Sequence, residues 1–149
     1  VAQPYGSSRV RKIIPSFISR ALHGESIEIY GAGDQVMDMI YITDAARCLV
    51  AALGHVTTSS CRGDLFFAGT GRRTDVRQIA DAVKFEVEDQ TGIKAPIVHL
   101  PMRAGETPGS EVRADPDQVR LLGLDPRGFT ELEDGLMSTV TYYRKLFGR

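Results

Sequence analysis

Residues 13–34 read Ile13-Ile14-Pro15-Ser16-Phe17-Ile18-Ser19-Arg20-Ala21-Leu22-His23-Gly24-Glu25-Ser26-Ile27-Glu28-Ile29-Tyr30-Gly31-Ala32-Gly33-Asp34, and their apolar period changes part-way along. Ile14, Phe17, Ile18, Ala21 and Leu22 recur at helical spacing. Pro15 stands where a first helical position would be, and Gly24 ends the stripe. Ile27-Glu28-Ile29-Tyr30 then alternates like a short half-buried strand. Gly31-Ala32-Gly33-Asp34 is a turn. A helix feeding a strand is the repeating unit of an α/β fold.

The same alternation continues outward. Residues 39–42 read as a second strand, and Asp44 as the N-cap of a helix over residues 45–53 that Gly54 stops. Residues 55–64 read as a loop, and residues 65–68 as a buried strand. Thr74 is placed to cap a long helix with a stripe of Val76, Ile79, Ala80, Val83 and Val87, closed by Gly92. Residues 97–100 form a further strand, broken by Pro101; residues 102–109 are a Gly/Pro-punctuated loop, and residues 112–114 a short strand. Asp115-Pro116-Asp117-Gln118 and Thr130-Glu131-Leu132-Glu133 carry capping-box spacing. The last helix puts Leu132, Leu136, Val140, Tyr143 and Phe147 on one face. The expectation is a mixed α/β domain of about five helices and four to five short strands. It spans residues 1–149 without an internal boundary.

The chain has 149 residues, 42% of them apolar and 25% charged, enough to bury a core. Its formal charge of −1 argues against a protein that neutralises many nucleic-acid phosphates and against a polybasic membrane anchor. Cys48 and Cys61 lack metal-ligand spacing and fit a reducing cytoplasm. The longest uncharged stretch, residues 48–61, is too polar to span a bilayer, and the N-terminus shows no apolar signal region. The absence of an initiator methionine suggests a chain cut from something longer.

Few residues point to chemistry by themselves. Gly69-Thr70-Gly71 lies between a strand and a helix pattern, where backbone N–H groups can hold a pyrophosphate, but a third glycine is missing at Thr74. An ordinary strand-to-helix turn fits the same residues. Arg103, in the Gly-containing loop after a strand, could grip a phosphate with two donors, or be a solvated surface arginine. Arg9, Arg11 and Lys12, like Arg72 and Arg73, could draw an anion or simply face solvent. Asp115, Asp117, Glu131 and Glu133 are placed as helix caps.

Taken in order, these segments resemble the C-terminal half of the extended short-chain dehydrogenase/reductases, the sugar-nucleotide epimerases and dehydratases. Gln3-Pro4-Tyr5-Gly6-Ser7 resembles that family's Asn-Val-Tyr-Gly-Pro segment. Residues 13–24 resemble its Ile-Pro-x-Phe helix, and Ile29-Tyr30-Gly31-Ala32-Gly33-Asp34-Gln35 its Ile-Tyr-Gly-x-Gly-x-Gln turn. Residues 38–45, residues 66–71, residues 101–106 (Pro-x-Arg-x-Gly-Glu) and Asp115 with Leu122-Gly123 match later motifs.

The resemblance implies a binding portion for a UDP- or dTDP-sugar. Ile14 and Pro15 would line the base site and Tyr30 would stack near the base. Arg103 would hold the diphosphate, and Glu106 would lie near the ribose or phosphates. The family's arginine before Asp38 is Met37 here, and its asparagine is Ala68, so two polar contacts are lost. The family's NAD fingerprint, Gly-x-x-Gly-x-x-Gly, and its Tyr-x-x-x-Lys pair are both missing from these residues. The complete reaction therefore implies NAD or NADP bound by an N-terminal half or a partner subunit, with no cofactor held by this chain alone. A homo-oligomer is compatible with this. A non-catalytic nucleotide-binding or interaction module, or a truncated remnant with an exposed strand over residues 65–68, is the alternative.

Overall fold

A computed structural model describes residues 12–58 and 65–148. The motif at residues 3–7, the basic residues Arg9 and Arg11, and Cys61 lie outside them. The expected α/β class is borne out, with five α-helices and five short strands among the described residues. Two compact units share the chain.

The first unit comprises residues 1–35, 75–110 and 133–149. Its helix α1 is Ile13–Leu22, with Lys12 before it and Pro15 inside the first turn. The predicted stripe buries Phe17, Ile18, Ala21 and Leu22. Strand β1, Ile27–Tyr30, buries Ile27 and Ile29 and leaves Glu28 and Tyr30 half-buried, as a two-residue period requires. It pairs in parallel with β4, Ile97–Leu100, so that Ile27 faces Ile97 and Tyr30 faces Leu100. Parallel strands need a crossover, and it includes α3, Val76–Thr91, whose Val76, Ile79, Ala80, Val83 and Val87 are all buried.

The N-cap of α3 is Asp75, not Thr74. Asp75 accepts from the Gln78 N–H and Gln78 Oε1 accepts from the Asp75 N–H, a reciprocal box that Thr74, with Arg77 three positions on, cannot form. The last helix, α5, is Leu132–Phe147. Gln90 ties α3 to it, donating to the Met137 carbonyl at 3.0 Å and accepting from Thr141 at 3.1 Å and Arg144 at 3.2 Å.

The second unit comprises residues 36–74 and 111–132. Strand β2, Val36–Met37, pairs in parallel with β5, Glu111–Val112, in a three-stranded sheet completed by β3, Thr74–Asp75. Helix α2 is Ile42–Thr58, and α4 is Pro116–Leu121. Cys48, Val119 and Phe129 form a small core with Ile40 and Leu124.

Several expectations fail in this unit, and residues 55–58, expected to open a loop, belong to α2. Residues 39–42 are not a strand: β2 ends at Met37 and Ile42 already begins α2. A four-residue apolar run fits either element, and here the helix takes its end. Asp44 lies within the first turn of α2 rather than capping it, and Gly54 does not stop it. An interior glycine costs a helix only about 1 kcal/mol, and α2 continues through it. Residues 65–68 form no strand, because no strand pairs with them among the described residues; Leu65 is 71% exposed and Phe67 59%. Asp115 caps α4 as expected, but through the Asp117 N–H rather than a box with Gln118.

Candidate functional site

Parallel pairing of β1 and β4 brings their carboxyl ends together, which is where α/β sheets place ligands. The Gly31 N–H donates to the Leu100 carbonyl at 2.8 Å, so residues 31–34 and 101–106 leave the sheet side by side. Gly31 has φ +71°, and a Cβ there would run into the Met102 thioether. The left-handed backbone at this position favours glycine, and the Met102 side chain fills the space beside it. His99 Nδ1 lies 2.8 Å from the Gly31 carbonyl, and Asp34 Oδ1 accepts from the Gly109 N–H at 3.2 Å. Both contacts hold the turn.

On this platform the Arg103 guanidinium sits over the Tyr30 ring, 3.7 Å from its centroid. Its Nη1 also donates to Glu106 Oε1 at 3.2 Å. The ring and the carboxylate fix the cation at two points, while 53% of the Arg103 side chain stays exposed. An anion arriving from solvent would meet an oriented fork of donors.

The structure thus gathers Tyr30, Arg103 and Glu106. Ile14 and Pro15 lie on a separate element, half-buried in the first turn of α1. Met37 belongs to the second unit, half-buried on β2 opposite Val112. Gln35, next to this cluster, reads in the sequence only as the last residue of the Ile-Tyr-Gly-x-Gly-x-Gln turn.

The turn at residues 69–71 is accounted for by Asp38. Asp38 Oδ1 accepts from the Thr70 N–H at 2.9 Å and the Thr70 hydroxyl at 2.6 Å. Its Oδ2 accepts from the Gly71 N–H at 2.8 Å and the Ala114 N–H at 3.2 Å. The N–H groups that could have cradled a pyrophosphate already serve a carboxylate of the chain, so this is a structural turn. Arg72 is likewise engaged, with Glu131 at 2.7 Å and the Thr130 carbonyl at 3.2 Å. Sequence spacing gave no sign of this, because Asp38 meets its partners from 32 to 76 positions away.

Two buried carboxylates are shifted. Burial pushes Asp44 upward, but hydrogen bonds from Thr130 and Arg47 outweigh it, leaving the group below the usual carboxylate range. Asp75 behaves in the same way: burial is outweighed by the Gln78 N–H and Arg77. Burial, helped by Asp44, raises the Cys48 thiol. Among the described residues, no three His, Cys, Asp or Glu side chains are grouped to hold a metal ion. No described helix is long and apolar enough to cross a membrane.

Residues 1–65 match the model of the NAD dependent epimerase/dehydratase family. A low-salt glycan biosynthesis protein of Haloferax volcanii, Agl12, is 31% identical over 132 residues, covering 89% of this chain and 39% of its own length. The dTDP-glucose 4,6-dehydratase 1 of Escherichia coli K12 is 30% identical over 139 residues, covering 89% of this chain and 36% of that protein. A UDP-glucose 4-epimerase of Thermotoga maritima, solved with UDP-glucose, matches with a TM-score of 0.76 at 30% identity, covering 97% of this chain and 42% of that one.

The chain is similar to the NAD dependent epimerase/dehydratase family, whose model it matches over residues 1–65. It spans about two fifths of the length of these relatives. The resemblance to the extended short-chain dehydrogenase/reductases is thereby borne out.

Proposed function

We propose that this chain binds the nucleoside diphosphate of a sugar nucleotide at the loops that follow β1 and β4. The observation that carries the reading is the Arg103 guanidinium, held over Tyr30 and against Glu106 yet open to solvent. Only Nη1 is engaged by Glu106 among the described residues, so other donors of the fork can meet phosphate oxygens. Tyr30 supplies an aromatic face beside the base. Glu106 orients Arg103 and lies near the ribose or phosphates. Ile14 and Pro15 line the base's surroundings. Met37 offers no hydrogen-bond donor to an anion.

The matching family is NAD dependent, but the turn at residues 69–71 does not fit a dinucleotide. The Thr70 and Gly71 N–H groups are bound to Asp38, and neither Gly-x-x-Gly-x-x-Gly nor Tyr-x-x-x-Lys occurs in the sequence. In this reading, hydride and proton transfer belong to residues outside this sequence, whether in the same polypeptide or another. This chain holds the diphosphate and orients the sugar towards them. The sparse cysteines go with a cytoplasmic setting.

Calorimetric titration with UDP, dTDP, GDP, UDP-glucose and NAD tests the proposal. Saturable binding of a pyrimidine nucleoside diphosphate without NAD is the expected result. Arg103→Ala should weaken that binding by about 1.5–3 kcal/mol, the scale of a hydrogen bond to a charged group. Unchanged affinity in this variant would sink the assignment.

A further inference from the structure

We propose that Gln35 reads the base of the bound nucleotide and that Met102 masks it until the nucleotide arrives. This rests on the reading that the loops after β1 and β4 hold a nucleoside diphosphate. Gln35 is only 9% exposed. Its Oε1 is buried with no hydrogen-bond partner among the described residues. Its Nε2 makes two long contacts, 3.5 Å to the Tyr30 carbonyl and 3.5 Å to the Met102 sulfur. The first exceeds the normal N–H···O range, and a thioether is a weak acceptor.

A carboxamide with an unmet acceptor and a barely met donor is costly to bury and demands an explanation. The backbone of Gln35 is well held, since its carbonyl accepts from the Val76 N–H at 3.2 Å. The unpartnered atom is in the side chain.

Its surroundings are those of the candidate site. Tyr30, whose carbonyl it approaches, carries Arg103 on its ring. Met102, the residue before Arg103, packs over Gly31 and against the Gln35 amide. Adjacent residues of one loop thus cover Gln35 and Tyr30. Methionine is unbranched and flexible, so it fills such a space and can leave it without a rigid rearrangement.

A planar amide offers one donor and one acceptor side by side. The imide edge of uracil or thymine offers the complement, and side-chain amides recognise base edges in this bidentate way. Displacing Met102 with such a base gives both ends of the Gln35 amide a partner.

The test is calorimetry on the full chain and its Gln35→Leu and Met102→Ala variants, with UDP, dTDP and inorganic pyrophosphate. Gln35→Leu should weaken UDP and dTDP alike by about tenfold and leave pyrophosphate unchanged. Its melting temperature should match or exceed the parent's, because the orphaned amide is gone. Met102→Ala should tighten UDP several-fold. Gln35→Met keeps side-chain length without the amide and makes the same test if Gln35→Leu does not fold.

Parental UDP affinity in Gln35→Leu overturns the base-reading role while leaving the diphosphate site standing. A loss for UDP but not dTDP overturns it in favour of the ribose 2′-hydroxyl. An equal loss for pyrophosphate overturns it too, as a general collapse of the site. Unchanged binding in Met102→Ala overturns the mask. A parent chain that binds none of the three overturns both this proposal and the reading beneath it.

Discussion

Asp38→Asn changes one atom's chemistry and almost nothing of side-chain shape, so it isolates what the carboxylate does. Four donors converge on Asp38, two on each oxygen. Asparagine keeps one acceptor oxygen. The least costly orientation points its oxygen at the Gly71 and Ala114 N–H groups and its NH₂ at Thr70, whose hydroxyl can turn round to accept. The Thr70 N–H then loses its partner in a buried residue, at about 1–3 kcal/mol. The two bonds that survive lose their charge assistance, which roughly halves them.

The sum is a loss of about 2–3 kcal/mol, or roughly 5–10 °C in melting temperature for a chain of this size. Urea unfolding followed by circular dichroism would show a lower midpoint with an unchanged slope. A midpoint equivalent to within about 0.5 kcal/mol of the parent, the range of an ordinary surface substitution, would refute the claim that Asp38 holds the turn at residues 69–71.

Other perturbations reach other parts of the molecule. The Asp44 and Asp75 carboxyls sit below their ordinary value of 3.8 in the folded chain. Their contribution is complete above the unfolded value and disappears as pH falls through the folded ones, so urea midpoints should decline below about pH 4. Asp44→Asn should flatten that decline. Gln78→Ala breaks one arm of the capping box on α3 and should cost about 1 kcal/mol in the same assay. Arg103→Lys keeps the charge but loses the planar fork over Tyr30, and should weaken UDP several-fold in calorimetry while leaving stability unchanged.

The elements that the sequence revealed are those whose burial follows a simple period. Helices α1 and α3 and strand β1 each bury one regular face, and the apolar spacing marked all three. Where the reading failed, neighbours far along the chain decided. Asp44 has the residue type and position of an N-cap, yet its Oδ2 accepts from the Thr130 N–H, 86 positions away. The Asp75 cap is a different case, because its signal was present: Asp75 has glutamine three residues on and Thr74 does not. The strand expected at residues 65–68 had the right composition but, among the described residues, no paired edge beside it, and composition alone cannot supply a ladder.

The candidate site divides along the same line. Arg103 and Glu106 lie three residues apart, so their pairing was within reach of local reasoning. Tyr30 is 73 positions before Arg103, and only the parallel register of β1 with β4 brings them together. Resemblance to a family pointed to both residues but said nothing of the stack between them. Gln35 shows the remaining limit. A glutamine in a turn reads as solvated, and only its burial against Met102 reveals an amide with unmet hydrogen-bonding capacity. Unsatisfied polarity belongs to an arrangement of atoms rather than to a residue type, and a sequence motif cannot display it. The two residues are therefore open to separate tests: Arg103 through the charge of the ligand, and Gln35 through its base.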